Sequence, residues 1–396
     1  MDKLKLERNI PLYYLFQLIR EPLFWGPILI TYIMAVSGMS LSQIYFMESV
    51  VIWILIVLEI PSGALADLIG RRKTILIGTC LLFCDVLLFS MANSALSIWI
   101  ANCCWAVGFS LVSGADSSLL FDTLSYLKRE SDFGRMQSRS ISYRFFIIAI
   151  CSILAGYLAE VNIRLPMICS LVFMLVGCFV SYFFVEPPVS TRDRYSVSKH
   201  INLMKISVLF VANHKKIKWI IGFVVLLAGI SKVWFFSYNS YFELVELPIV
   251  YFGWIFALLN AVSFLTSYFY DVIFKKLGDF GSIVLMIIVI AIPVFIMGTW
   301  VSQLACLLVL MQNVARGYLT PFIDQFLHHY LDSENRATVI SIKSAVSGFS
   351  QFVTLTLFGF LLGVYPLPLC LQIMGVMMAI GGLFFVFTYF RVFKES

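Results

Sequence analysis

Twelve times along this chain an apolar stretch runs between charged or turn-forming residues for long enough to cross a bilayer, and this recurrence leaves few folds open. The first six stretches are 11–36, 43–66, 73–92, 95–120, 140–161 and 164–185. The second six are 217–241, 249–273, 281–300, 302–327, 337–362 and 367–390. A helix needs about 20 residues to span the hydrocarbon, and lipid offers no partner to a backbone amide that its own segment leaves unpaired. Composition agrees: 61% of the residues are apolar and 13% charged, where a soluble domain has roughly 45–50% and 25%. The 37 Phe and 18 Tyr suit lipid-facing and interfacial positions. The chain is expected to be an all-α integral membrane protein.

Most connections between the stretches are short. The exception, 186–216, opens Glu186-Pro187-Pro188 and carries Arg192, Asp193, Arg194, Lys199 and Lys205. It separates an N-terminal six-helix bundle (1–185) from a C-terminal one (217–396), with a cytoplasmic linker between them. Within the linker, 198–213 has apolar residues at Ile201, Met204, Val208 and Val211, the pattern of a helix lying on the membrane surface. Lys and Arg concentrate in alternate connections, among them Arg71–Lys73, Lys128, Arg129, Arg135, Lys275, Lys276 and Arg336, while the opposite side holds Arg164. By the positive-inside rule both termini are cytoplasmic and the expected location is the inner (cytoplasmic) membrane.

Several functions are excluded at this point. Net charge is +6 and spread among apolar segments, which does not suit nucleic-acid binding. The nine cysteines lie within apolar runs without metal-ligand spacing and are expected to be small buried hydrophobes. There is no phosphate-binding G-x-x-x-x-G-K motif and no Ser/His/Asp or two-metal constellation, so neither an enzyme nor a cofactor or metal is expected.

The second stretch ends Gly63-Ala64-Leu65-Ala66-Asp67-Leu68-Ile69-Gly70-Arg71-Arg72-Lys73. Glycines at 63 and 70 allow close helix approach and a tight turn, Asp67 can face a helix N-terminus, and Arg71 can reach Asp122 at the cytoplasmic end of the fourth span. The segment resembles the G-x-L-A-D-x-x-G-R-R/K-R/K signature between helices 2 and 3 of the major facilitator superfamily, and with twelve spans and a long central loop the resemblance covers the whole chain. It implies two pseudo-symmetric six-helix bundles and a latch, built here by Gly63, Asp67, Gly70, Arg71 and Asp122, that holds the outward-facing state. A repeat supports the two bundles: Asp271, Asp324 and Arg336 follow Asp67, Asp122 and Arg135 at an offset of about 200 residues. The glycine-rich helix-5 motif of drug–proton antiporters in that superfamily is absent; Cys151–Tyr157 holds one glycine and no proline.

Ionisable residues inside spans are costly unless they face a cavity or a partner. They are Arg20, Glu21, Glu59, Asp85, Asp116, Asp122, Arg144, Lys232, Arg316 and Lys343. In the superfamily's arrangement all but Asp85 fall on helices that line or flank the central cavity. At 1.5 Å per residue Arg20, Lys232 and Arg316 come out near mid-membrane. They form either an electropositive pocket for an anionic solute or structural ion pairs with Glu21, Glu59 and Asp116; both readings stay open. The same three carboxylates are candidates for proton coupling. Trp25, Trp234, Tyr238 and Tyr318 are candidates to contact substrate. The expected function is secondary active transport by a monomer, with the bilayer, a small amphipathic or anionic solute and protons as its partners. Proton-coupled export of a drug or siderophore leads, ahead of import of an anionic metabolite or siderophore, with a non-transporting receptor or lipid flippase as a further alternative.

Overall fold

The computed structural model describes residues 3–188, 211, 213–330 and 333–393. Among these the structure is helical throughout, without strands. The helices are α1 Lys3–Glu7, α2 Asn9–Ile19, α3 Leu29–Ser37, α4 Leu41–Ile69, α5 Arg71–Met91, α6 Ala95–Val112, α7 Ala115–Tyr126, α8 Phe133–Val161 and α9 Leu165–Phe183, followed by α10 Lys215–Leu244, α11 Ile249–Tyr268, α12 Tyr270–Thr299, α13 Val309–Tyr330, α14 Ser333–Val364 and α15 Leu367–Phe393. Among the described residues eleven helical segments are long and apolar enough to cross a membrane.

The remaining expected span, 11–36, is divided into α2 and α3. Pro22 and Pro27 lie in the break, and each removes an amide donor and crowds the preceding turn. Polar backbone freed at membrane depth must be enclosed by protein. Here Leu23, Phe24 and Ile28 are at most 5% exposed, and the Phe24 N–H donates to Ser170 Oγ at 3.3 Å. The span 95–120 is likewise two helices, α6 and α7, which meet at Gly114 with φ +84°. Gly278, with φ +61°, kinks α12. The surface helix expected over 198–213 lies almost wholly outside the described residues.

The chain forms two compact units, residues 1–39, 53–199 and 249–256 in one and 40–52, 200–248 and 257–396 in the other. The start of α4 thus packs with the second unit and the start of α11 with the first, which differs from a clean division at the linker. Backbone proximity explains both exchanges. A Cβ at Gly253 would fall 2.2 Å from the Ser152 carbonyl oxygen on α8, while the Ser42 hydroxyl on α4 donates to the Gly359 carbonyl on α14 at 2.7 Å.

In the first unit α5 and α6 cross through a pair of glycines: a Cβ built on either Gly78 or Gly108 would lie 2.8 Å from the other's carbonyl oxygen. Gly108→Ala is therefore expected to cost about 1–3 kcal/mol by overpacking, seen as a lower melting temperature in detergent. Gly63→Ala is expected to leave that temperature unchanged, because a Cβ there meets nothing within 4 Å. Among the described residues the close helix approach expected at Gly63 is not made. All nine cysteines are free; Cys151, Cys306 and Cys370 are buried as expected, but Cys80 and Cys84 are exposed.

Candidate functional site

Gly70 takes φ +100° between α4 and α5, the turn its position called for. Arg71 Nη2 meets Asp67 Oδ1 at 2.9 Å, and Arg71 Nε lies 3.6 Å from Asp122 Oδ2. Sequence reasoning missed the third acidic member. Both carboxylate oxygens of Glu186 accept the first amides of α5, from Arg71 N–H at 2.8 Å and Arg72 N–H at 2.7 Å. A carboxylate there satisfies orphan amides at the positive end of the helix dipole. In the second half, Asp271 and Asp324 are exposed.

Arg20 is enclosed. Its Nη1 lies 2.5 Å from Asp116 Oδ2, its Nε 3.5 Å from Glu21 Oε1, and its guanidinium covers the Phe109 ring at 5.6 Å. Gln17 Nε2 donates to the same Asp116 oxygen at 2.6 Å, and the Ser117 N–H donates to Asp116 Oδ1 at 2.7 Å. Glu21 also receives Arg144 at 3.4 Å. Glu59 is exposed. Trp25 pairs with the Trp105 ring at 5.8 Å.

Within the second unit α10, α12, α13 and α14 line an open cavity of about 390 Å³, whose lining includes Lys232, Trp234, Phe235, Tyr238, Gln312 and Arg316. Both cations lean on one ring: Lys232 Nζ is 6.0 Å and Arg316 Cζ 5.7 Å from the centre of Phe235. The Tyr238 hydroxyl donates to Gln312 Oε1 at 3.3 Å and accepts from Asn313 Nδ2 at 3.1 Å. That fixes the Gln312 amide with its oxygen occupied, while its Nε2 and the indole Nε1 of Trp234 are buried without hydrogen-bond partners. The wall thus offers two cations and two unsatisfied donors, the complement of an acceptor-rich ligand. Tyr318 does not line this cavity; it is buried and shares a hydrogen bond with Ser282 Oγ at 2.7 Å. Among the described residues no group of His, Cys, Asp or Glu could hold a metal ion.

The profile of the Major Facilitator Superfamily matches residues 23–311. The chain belongs to that superfamily. It is 28% identical over 218 residues to YxaM of Bacillus subtilis (strain 168), described as an uncharacterized MFS-type transporter; the match covers 53% of each, so the chain spans about half the length of that relative. Among solved structures it is similar to the nucleoside transporter NupG, with TM-score 0.76 at 11% identity over 99% of both chains. It is also similar to a bacterial homolog of the human lysosomal transporter Spinster, with TM-score 0.74 at 12% identity over 99% of this chain and 97% of that one. At these identities the likeness is one of fold.

The chain thus belongs to a superfamily of multi-pass membrane transporters, whose members are not enzymes. Of the residues singled out as substrate contacts, Lys232, Trp234, Tyr238 and Arg316 share one cavity. Arg20 and Trp25 belong to the first unit and Tyr318 to the packing beside α12. One intramembrane carboxylate was missed altogether: Glu48 on α4, 6% exposed, for which Lys232 is the neighbouring positive charge. An ionisable residue eight positions into an apolar helix is itself the signal that could have found it.

Proposed function

We propose that this superfamily member is a secondary active transporter that moves a small organic anion across the inner membrane by alternating access, as a monomer with both termini cytoplasmic. What supports the reading is a cavity wall that carries two cationic side chains, Lys232 and Arg316, beside two buried donors without acceptors, Gln312 Nε2 and Trp234 Nε1. The aromatic neighbours Phe235 and Tyr238 suit an amphipathic or aromatic carboxylate. A volume near 390 Å³ sits at the small end for ligand sites, which favours a compact metabolite over a siderophore. Flux into proteoliposomes tests the reading, with labelled benzoate, uridine and ethidium as anionic, neutral and cationic probes. The anion alone is expected to be moved; transport restricted to uridine or ethidium would overturn the proposal.

The cluster around Arg71 is read as the conformational latch that the superfamily resemblance implies. Asp67→Asn and Arg71→Ala are expected to shift the conformational equilibrium by about 1–3 kcal/mol while leaving thermal stability nearly intact. Cysteine-accessibility labelling from the cytoplasmic side is expected to increase. Unchanged labelling with normal flux would leave Arg71 as a positive-inside anchor.

A further inference from the structure

The start of α4 is unusual for a membrane-facing segment. Tyr45 and Glu48, one helical turn apart, both pack in the second unit at no more than 6% exposure. The Tyr45 hydroxyl donates to the Val233 carbonyl at 3.1 Å and shares a 2.6 Å hydrogen bond with Ser237 Oγ, so this face of α4 is registered against the stretch of α10 that carries Lys232. Glu48 Oε1 is buried with no hydrogen-bond partner. Lys232 and Glu48 act on each other as opposite charges, and Arg316 repels Lys232. None of the described ion pairs joins Glu48 to Lys232 directly. The Lys232 ammonium lies instead over the Phe236 ring at 4.8 Å, and Lys232 lines the cavity while Glu48 does not. The titratable groups facing Glu48 are thus Tyr45 and Lys232; the stretch of α14 beside Tyr45, around Phe358 and Gly359, carries no charged residue.

We propose that Glu48 is the internal counter-charge of Lys232, and that a solute anion and a proton enter this site together. The anion takes over the neutralisation of Lys232, and the proton, drawn from water, bonds to the carboxylate of Glu48 that has lost its compensating charge. The physical reason is the cost of leaving a buried carboxylate without a compensating charge. A bound anion cancels the field of Lys232, so the ionised carboxylate is left uncompensated and takes a proton. By reciprocity the proton favours the anion to the same degree. Binding that is cooperative in this sense makes the pair travel in one direction, which is cotransport. An inward proton gradient then drives uptake, in place of the export that leads among the expectations from sequence. The inference rests on the cavity being the anion site, and it moves proton coupling from Glu21, Glu59 and Asp116 to Glu48.

The test has an arm that needs no ligand. Removing the charge of Lys232 imitates what a bound anion does, so Lys232→Gln at mildly alkaline pH is expected to show a new infrared C=O stretch of a protonated carboxyl that is weak or absent in the wild type at the same pH. Adding Glu48→Gln is expected to abolish it. A second arm uses benzoate with the purified protein in weak buffer. The wild type is expected to take up a proton on binding, with affinity falling about tenfold per pH unit once Glu48 is ionised. Glu48→Gln is expected to bind benzoate at constant affinity without proton uptake. Absence of the new carboxyl band, or proton uptake that survives Glu48→Gln, would overturn the assignment. Benzoate binding that is insensitive to both Lys232→Gln and Arg316→Gln would instead remove the cavity reading, whatever the infrared band shows.

Discussion

Arg20→Gln is expected to cost the protein about 3–5 kcal/mol of stability, among the largest effects of any single charge removal outside the cavity. Asp116 is 3% exposed and holds Arg20 at 2.5 Å; without the guanidinium it keeps Gln17 and the Ser117 amide but no positive charge. Neutral donors do not replace a cation around a buried carboxylate. The loss of the cation–π contact with Phe109 adds to the effect. Combining Arg20→Gln with Asp116→Asn is expected to restore most of the stability, because the pair is then removed as a unit. Glu21 needs no such rescue, since it is partly exposed and retains Arg144 at 3.4 Å. Thermal unfolding in detergent reads both variants. A destabilised double variant, or a fully stable Arg20→Gln, would show that the ion pair is not what holds α2 to α7.

The second large effect falls on ligand binding. Arg316→Gln and Lys232→Gln are each expected to weaken binding of benzoate at least tenfold, about 1.4 kcal/mol, with little change in melting temperature for Arg316→Gln. Arg316 is exposed within the second unit, so removing it leaves no buried carboxylate of its own helix without a partner. Lys232→Gln differs, because Glu48 is buried beside it. Its stability is expected to fall at high pH, where Glu48 stays ionised, and to recover under acid conditions. Isothermal titration of the two variants separates a binding role from a packing role. Equal affinities for wild type and Arg316→Gln would mean that the charge on α13 does not serve the ligand.

The architecture was legible in the sequence because lipid allows so few solutions. Apolar length and the alternation of Lys and Arg lead directly to helices and their order, and Pro22 and Pro27 mark the place where the first span breaks. The turn at Gly70 and the approach of Arg71 to Asp122 were legible for a related reason: a short motif fixes its own geometry. The mid-membrane charges were not separable that way. Arg20, Lys232 and Arg316 have equal standing as isolated cations in apolar helices, and only tertiary packing decides that Asp116 closes over the first while the other two line a cavity. Glu48 illustrates the limit most clearly. Its neighbouring charge, Lys232, belongs to a helix far along the chain, and no local pattern around Met47-Glu48-Ser49 foretells it. Glu186 escaped notice for the same reason, since its role depends on where the end of α9 meets the first turn of α5.

The central claim is that the cavity selects its ligand by negative charge, and benzoate against benzamide tests it most directly, because the two share a shape and differ in that charge. A ligand that binds only the folded protein stabilises it by an amount that grows with the logarithm of one plus the ratio of its concentration to Kd, and so raises the melting temperature. Benzoate is expected to raise the melting temperature of the wild type in a concentration-dependent manner and to lose that effect in Arg316→Gln, while benzamide leaves it unchanged. Equal stabilisation by benzamide, or stabilisation by benzoate that persists without Arg316, would contradict an anion site built by Lys232 and Arg316.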